Sequence, residues 1–360
     1  MNRPLRVMAV VLAVIVGLAA LDQILARTEM REVQNAATRS WTTGIRLLHN
    51  GRPAEALGAL RDAHAMERDN VVYELDMISA LTALGRTADA DPLIDEVLQR
   101  RPNDGYANLI AARLKATEGD VEDAEAFYHR AIYAEWPHDG SLHARDARFE
   151  LVQYLVRKHA KQELLAELIS LEAEADGDAA LRHRVAELFL TAESPARAAT
   201  VYRALIETNP DDATSYEGLG EAEMQRGDYR AARTAFMQAA MHHAGEATGS
   251  RLLLLNEVIQ LDPTPRRLPT AEKLERSLRI LALAKGDLAA QLEKRPSAAN
   301  AETADLLKAA ASPPRAATNE TAEQNLDLAT KIWRLRVSLF GSSTAPDQEA
   351  LKLTMEHLAS

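Results

Sequence analysis

Residues 210–240 open with Pro210-Asp-Asp-Ala-Thr-Ser-Tyr-Glu-Gly-Leu-Gly-Glu-Ala222 and continue through Gly227-Asp228-Tyr229 to Ala232, Phe236 and Ala239. Two helical faces are legible in this stretch. Leu219, Gly220 and Glu223 share one face, and Ala232, Phe236 and Ala239 share another at i, i+4, i+7. Gly227-Asp228 breaks the helix between them. The pattern predicts a helix-turn-helix hairpin whose small residues let the two helices approach closely.

Leu-Gly in the first helix, Gly-Asp-Tyr at the turn and Ala…Phe…Ala in the second resemble the tetratricopeptide repeat, which has a period of about 34 residues. Stepping that distance toward the N-terminus extends the pattern. Ala232 maps onto Ala198 and Leu164, Phe236 onto Tyr202 and Leu168, and Ala239 onto Leu205 and Leu171. A shift at residues 139–144 restores the phase. Ala124, Tyr128 and Ala131 then align, followed by Ala90, Ile94 and Val97, and by Ala56, Leu60 and Ala63. The expected hairpins are therefore 37–70, 71–104, 105–138, 145–178, 179–212 and 213–246, with 139–144 inserted. The hairpin at 145–178 is degenerate, with Leu164 in a small-residue position and no glycine at its turn. A hairpin of this kind cannot bury its apolar face alone, so stability comes from stacking on neighbours. The fold expected is an all-α, right-handed α-solenoid with a concave face lined by the first helices.

Composition agrees with helices. Aromatic residues are 4% of the 360 and hydrophobic residues 47%, which favours tightly packed helices over sheets rich in aromatic and β-branched residues. A net charge of −11 argues against nonspecific nucleic-acid binding. The absence of cysteine excludes disulfides and thiolate metal sites.

At the N-terminus, Arg3 and Arg6 precede an apolar run, and Val7–Ala26 as a helix would span roughly 30 Å, about one hydrocarbon core. Basic residues before the run and mixed charges after it predict a single-pass signal anchor. The N-terminus would then be cytoplasmic, in a bacterial inner membrane, and the bulk of the chain periplasmic. The competing reading is a cleaved signal peptide with Leu18-Ala19-Ala20 as its processing site and a secreted periplasmic product. Residues 1–27 make up this tip and anchor. Residues 28–36 form a juxtamembrane segment that would continue the helix and cover the first hairpin.

Beyond the last hairpin, residues 247–295 read as two capping helices, the second capped by Thr270 and stopping near Glu293. Residues 296–317 are an Ala/Pro-rich linker with a weak helix at 301–311, and 318–360 hold two terminal helices. Whether these fold back on the repeats or dock elsewhere stays open from sequence.

No nucleotide, zinc or nucleophile motif is present, so no cofactor and no enzymatic activity are expected. His242-His243 with Glu246, and His138 with His143, are the densest histidine groups. The first pair reads as a solvated repeat end, since neighbouring helical residues point apart. The carboxylate pair Asp211-Asp212 sits at a helix start, where it complements the dipole.

The resemblance implies that ligands lie along the first helices. The residues following the large first-helix position are Trp41, Leu75, Leu109, Phe149, His183 and Glu217. One turn on stand Ile45, Ser79, Arg113, Gln153, Glu187 and Glu221. They predict a groove with an apolar half toward the N-terminus and an acidic half toward the cap, suited to a partner protein with an apolar segment followed by basic residues. The Lys and Asn pattern that clamps a C-terminal carboxylate in some family members is missing. The resemblance implies a non-enzymatic protein–protein interaction scaffold. The alternative is a structural subunit of an envelope, secretion, polysaccharide-export or cytochrome-assembly complex, docked through its terminal helices.

Overall fold

The computed structural model describes residues 3–137, 139–175, 177–243, 245–342 and 348–359, with side chains at Leu18 and from Ala20 onward. Among the described residues there are seventeen α-helices and no strand. Contacts divide the chain into two compact units, residues 1–160 and 161–360.

The first unit holds α1 (Arg3–His49), α2 (Pro53–Met66), α3 (Val71–Ala83), α4 (Thr87–Arg100), α5 (Gly105–Glu118), α6 (Val121–Ile132) and α7 (Gly140–Lys158). Successive helices pack on one another, and α1, α3, α5 and α7 also touch their next-but-one neighbours. This is the packing of stacked hairpins, in which a repeat contacts only the repeats beside it. The shared core runs through Leu60, Leu75, Ile78, Ile94, Ile110 and Leu114, all nearly inaccessible to solvent. Burying each such side chain contributes roughly 1.5–3 kcal/mol.

Local chemistry sets the helix starts. Asn70 and Asp104 accept from the first backbone N–H groups of α3 and α5, as Asp178 and Asp212 do for the first helices of later hairpins. Each cap contributes on the order of 1 kcal/mol. The turns need a left-handed residue, which Gly227 supplies in the last hairpin. His159 and Glu193 hold that conformation with side chains attached, at φ 56° and 54°, and so account for two turns that lack the glycine signal.

Two expectations change here. The inserted residues 139–144, placed outside the hairpins, fall in a helix except for Asp139. Gly140 starts α7, which runs for 19 residues, so the insertion lengthens the first helix of its pair. The juxtamembrane segment does not cover the first hairpin. Thr28–Asn35 are exposed along α1, where Met30, Val33 and Gln34 line an open cleft with Met66–Asn70 at the end of α2. The helix itself is continuous from Arg3 to His49. Among the described residues no helix is long and apolar enough to cross a membrane. The side chains of Val7–Gly17, where the expected anchor begins, lie outside the described residues.

The second unit contains α8 (Lys161–Glu174), α9 (Ala179–Thr191), α10 (Pro195–Thr208), α11 (Ala213–Gln225), α12 (Tyr229–Met241), α13 (Glu246–Leu261), α14 (Thr270–Lys294), α15 (Ala301–Ala309), α16 (Asn319–Phe340) and α17 (Glu349–Ala359). In α11 a Cβ at Gly220 would lie 2.6 Å from the Phe236 ring, so the absent side chain is what admits Phe236. Phe236 joins Tyr229, Leu255, Val258, Ile280, Leu288, Ile332, Trp333 and Met355 in one core.

That core answers the question of the terminal helices. α16 packs on α14, and α17 packs on α13, α14 and α16. The Tyr229 hydroxyl donates to the Leu353 carbonyl at 3.0 Å. A fully buried pair, Arg336 Nε to Asp287 Oδ2 at 2.6 Å, ties α16 to α14. The stretch read as a linker is fastened as well. α15 starts at a capping box between Asn300 and Thr303 and packs on α16, and Asn325 Nδ2 donates to the Pro314 carbonyl at 3.1 Å. Thr270 is the first residue of α14 rather than its cap; Pro269 occupies the cap position with no side-chain hydrogen bond.

Candidate functional site: the first-helix faces

In the first unit, Trp41 and Ile45 lie on α1, Leu75 on α3, Leu109 and Arg113 on α5, and Phe149 and Gln153 on α7. Leu75 is 1% exposed and Leu109 7%. They pack inside the stack, out of reach of a partner. This corrects their expected place in an apolar groove: the helix beside each one covers the position that the repeat phase suggests is open. Trp41, Ile45 and Phe149 are half-buried, and Gln153 is exposed.

Polar side chains cross this face from helix to helix. Trp41 Nε1 on α1 donates to Asp76 Oδ2 on α3 at 2.6 Å, and the Tyr106 hydroxyl on α5 donates to the other oxygen of the same carboxylate. Asp76 is 4% exposed. Burial pushes its carboxyl above the usual range, against the opposing hydrogen bonds of Trp41 and Tyr106. Burial, then the charge of Asp76, also raises the Tyr106 phenol far above its ordinary value, so it stays a donor. One step further, Arg113 on α5 makes a bidentate pair with Glu150 on α7 at 2.8 and 2.9 Å, and the Tyr128 hydroxyl on α6 donates to Glu150 at 3.2 Å. For Arg113 the lowering by burial is outweighed by the hydrogen bonds and charge of Glu150. The face is therefore bridged by polar contacts where an apolar surface was expected.

In the second unit, His183 and Glu187 lie on α9, and Glu217 and Glu221 on α11. His183 Nε2 lies 2.8 Å from Asp212 Oδ2, and the Ser215 hydroxyl donates to that same oxygen at 2.6 Å. Burial raises the Asp212 carboxyl, but the hydrogen bonds of Ser215 and His183 and the charge of His183 together outweigh it and hold the group below its ordinary value. Serine, histidine and aspartate meet here, but serine and histidine converge on one carboxylate oxygen, and Ser215 is wholly buried. The arrangement caps α11 and offers no exposed nucleophile. Glu217 accepts from the Thr248 hydroxyl on α13, and Glu221 pairs with Arg251 at 2.7 Å. The acidic half is thus largely occupied by the chain's own next helix. Glu187 stays exposed.

The histidine groups have structural roles too. His242 stacks on Tyr216 at 5.5 Å and lies 3.5 Å from Asp211. His143 stacks on Trp136 at 4.8 Å; His138 lies outside the described residues. Among the described residues no group of three His, Asp or Glu is placed to hold a metal.

Short-turned helix pairs whose first helices lie side by side define a helical-repeat protein. Family models described as tetratricopeptide repeat match two stretches of this chain, residues 47–114 and 186–263. Tetratricopeptide proteins serve as protein–protein interaction scaffolds, and the fold is generally non-enzymatic. The chain is similar to a tetratricopeptide repeat protein from Parabacteroides merdae at 15% identity and a TM-score of 0.38, over 82% of this chain and 99% of that one. It is similar to pilF of Pseudomonas aeruginosa at 15% identity and a TM-score of 0.32, over 63% and 83%. The tetratricopeptide domain of P58(IPK) shows 16% identity and a TM-score of 0.29, over 90% and 97%. No curated protein matches the chain in sequence.

Proposed function

We propose that this chain is a non-enzymatic scaffold that presents tetratricopeptide repeats to partner proteins while its N-terminal helix holds it in a bacterial inner membrane, with the repeats in the periplasm. The observation that carries the anchored reading is α1. It passes without a break from the apolar segment at Val7 into the first hairpin, and its exposed part keeps Leu18, Leu21, Ile24 and Leu25 more than half open to solvent. A helix of that character needs an apolar environment for its first half.

The packing of α16 and α17 onto α13 and α14 weighs against a subunit that docks through free terminal helices. The partner is better sought along the first-helix faces, at Gln153 and Glu187.

Because the chain has no cysteine, one introduced thiol reports its surroundings cleanly. Lys331→Cys, on the exposed side of α16, should react with a membrane-impermeant maleimide in cells whose outer membrane alone has been opened. Mass spectrometry of the purified chain should find the segment Val7–Ala26 retained. Labelling only after the inner membrane is lysed would overturn the periplasmic placement. A mature N-terminus after Ala20 would replace the anchor by a cleaved signal.

A further inference from the structure

A cleft in the first unit lies between the C-terminal halves of α5 and α7 and the flank of α6. Arg113, Tyr128, Glu150, Tyr154, Arg157 and Lys158 form most of its wall. Its chemistry differs from the rest of this acidic chain. Three cations face one carboxylate, while the whole molecule carries −11. The carboxylate is committed: Glu150 takes both Arg113 bonds and the Tyr128 hydroxyl. Arg157 and Lys158 are exposed, and among the described residues neither has a carboxylate at ion-pair distance. Lys158 Nζ stands over the Tyr154 ring at 5.6 Å, which holds the ammonium at the cleft. Tyr154 is 2% exposed, and its hydroxyl has no hydrogen-bond partner. A buried, unsatisfied hydroxyl costs free energy that an acceptor would recover. The acidic groups that act on Tyr154 are Glu125 on α6 and Asp120, which caps it, and neither is part of the cleft wall.

We infer that this cleft binds a short acidic segment of a partner protein, with its Asp or Glu carboxylates on Arg157 and Lys158 and the Tyr154 hydroxyl donating to one of them. The inference rests on the scaffold reading and gives its partner a chemistry. It replaces the expected apolar-then-basic segment, whose apolar seats Leu75 and Leu109 are buried and whose acidic seats Glu217 and Glu221 are taken. A few carboxylates suit Arg157 and Lys158, the two cations that Glu150 leaves unpaired. A long polyanion would meet the negative field of the whole chain, so a nucleic acid is disfavoured.

The test uses the purified full-length chain in a neutral detergent and a fluorescein-labelled ten-residue peptide of alternating Glu and Gly, read by anisotropy at low salt. The wild type should bind it. Arg157→Glu with Lys158→Glu should weaken binding by about tenfold or more, on the order expected for losing contacts to two charged groups. Lys331→Glu with Arg334→Glu, an equal charge change on the exposed face of α16, should leave it within about twofold. Tyr154→Phe should weaken it while leaving the helical circular dichroism unchanged. No binding, or equal weakening by both charge-reversal pairs, would overturn the inference. So would displacement of the peptide by inorganic phosphate beyond the effect of sodium chloride at matched ionic strength, which would mark a free-anion site. Tighter cleft-dependent binding of a single-stranded oligonucleotide of equal charge would overturn it too. If the peptide fails while a partner protein is still captured at Gln153 or Glu187, the scaffold reading stands and only the cleft is wrong.

Discussion

Replacing Asp287 by alanine should open the C-terminal end of the second unit before anything else in it. Arg336 is 1% exposed and Asp287 2%. Their 2.6 Å bond joins α16 to α14, two helices that share one core with α12, α13 and α17. The substitution strands a guanidinium in that core. Removing one partner of a buried pair costs about 3–5 kcal/mol. Arg336 keeps a hydrogen bond to the Gly341 carbonyl and the face of Trp333, 5.4 Å away, so the lower figure, about 3 kcal/mol, is the expected loss. Stacked hairpins need not unfold all at once, which makes amide hydrogen exchange the suitable assay. Protection of α14 and α16 should fall by about 100-fold, with little change in α9 and α10. Asp287→Leu combined with Arg336→Met should recover most of the protection, because the pair can be exchanged for apolar packing at small cost. A single-variant change below about threefold, or a double variant no better than the single, would refute the argument.

Three further outcomes follow from the same contacts. Gly220→Ala places a methyl against the Phe236 ring and should destabilise the second unit by about 1–3 kcal/mol in urea unfolding, without loss of helix in the native baseline. Asp76 has a folded-state pKa raised above 3.8. Its contribution is thus favourable below that value and is lost as pH rises through the raised one, so Asp76→Asn should gain on the wild type as pH rises from acid toward neutral, measured by paired melts. Asp212 is shifted the other way, below 3.8. Its contribution is present above that value and lost as pH falls through the lowered one, so Asp212→Ala should cost about 1 kcal/mol at neutral pH and progressively less in acid.

The repeat phase was readable from sequence because a close helix crossing demands a small residue opposite a large one, as at Gly220 and Phe236. The same periodicity says which turn of a helix a residue occupies but not how far the neighbouring hairpin covers it. That is why Leu75 and Leu109 read as groove residues and prove to be core. The bridges between first helices did leave a trace. Glu221 and Arg251, Arg113 and Glu150, and Trp41 and Asp76 each stand roughly one repeat apart, and pairing complementary side chains at that spacing would have found them. The Asp287–Arg336 pair has no such trace, because it joins helices outside the repeat. The left-handed residues His159 and Glu193 hid two turns whose geometry is ordinary but whose sequence is not.

The central claim is that partner proteins contact the first-helix faces. A photo-crosslinking amino acid placed in turn at Gln153 and at Glu187, both exposed on those faces, and at Lys331 on α16 tests it in intact cells. The account predicts a discrete cross-linked protein from Gln153 or Glu187 and none from Lys331; no product from either face, or the same product from all three positions, would contradict it.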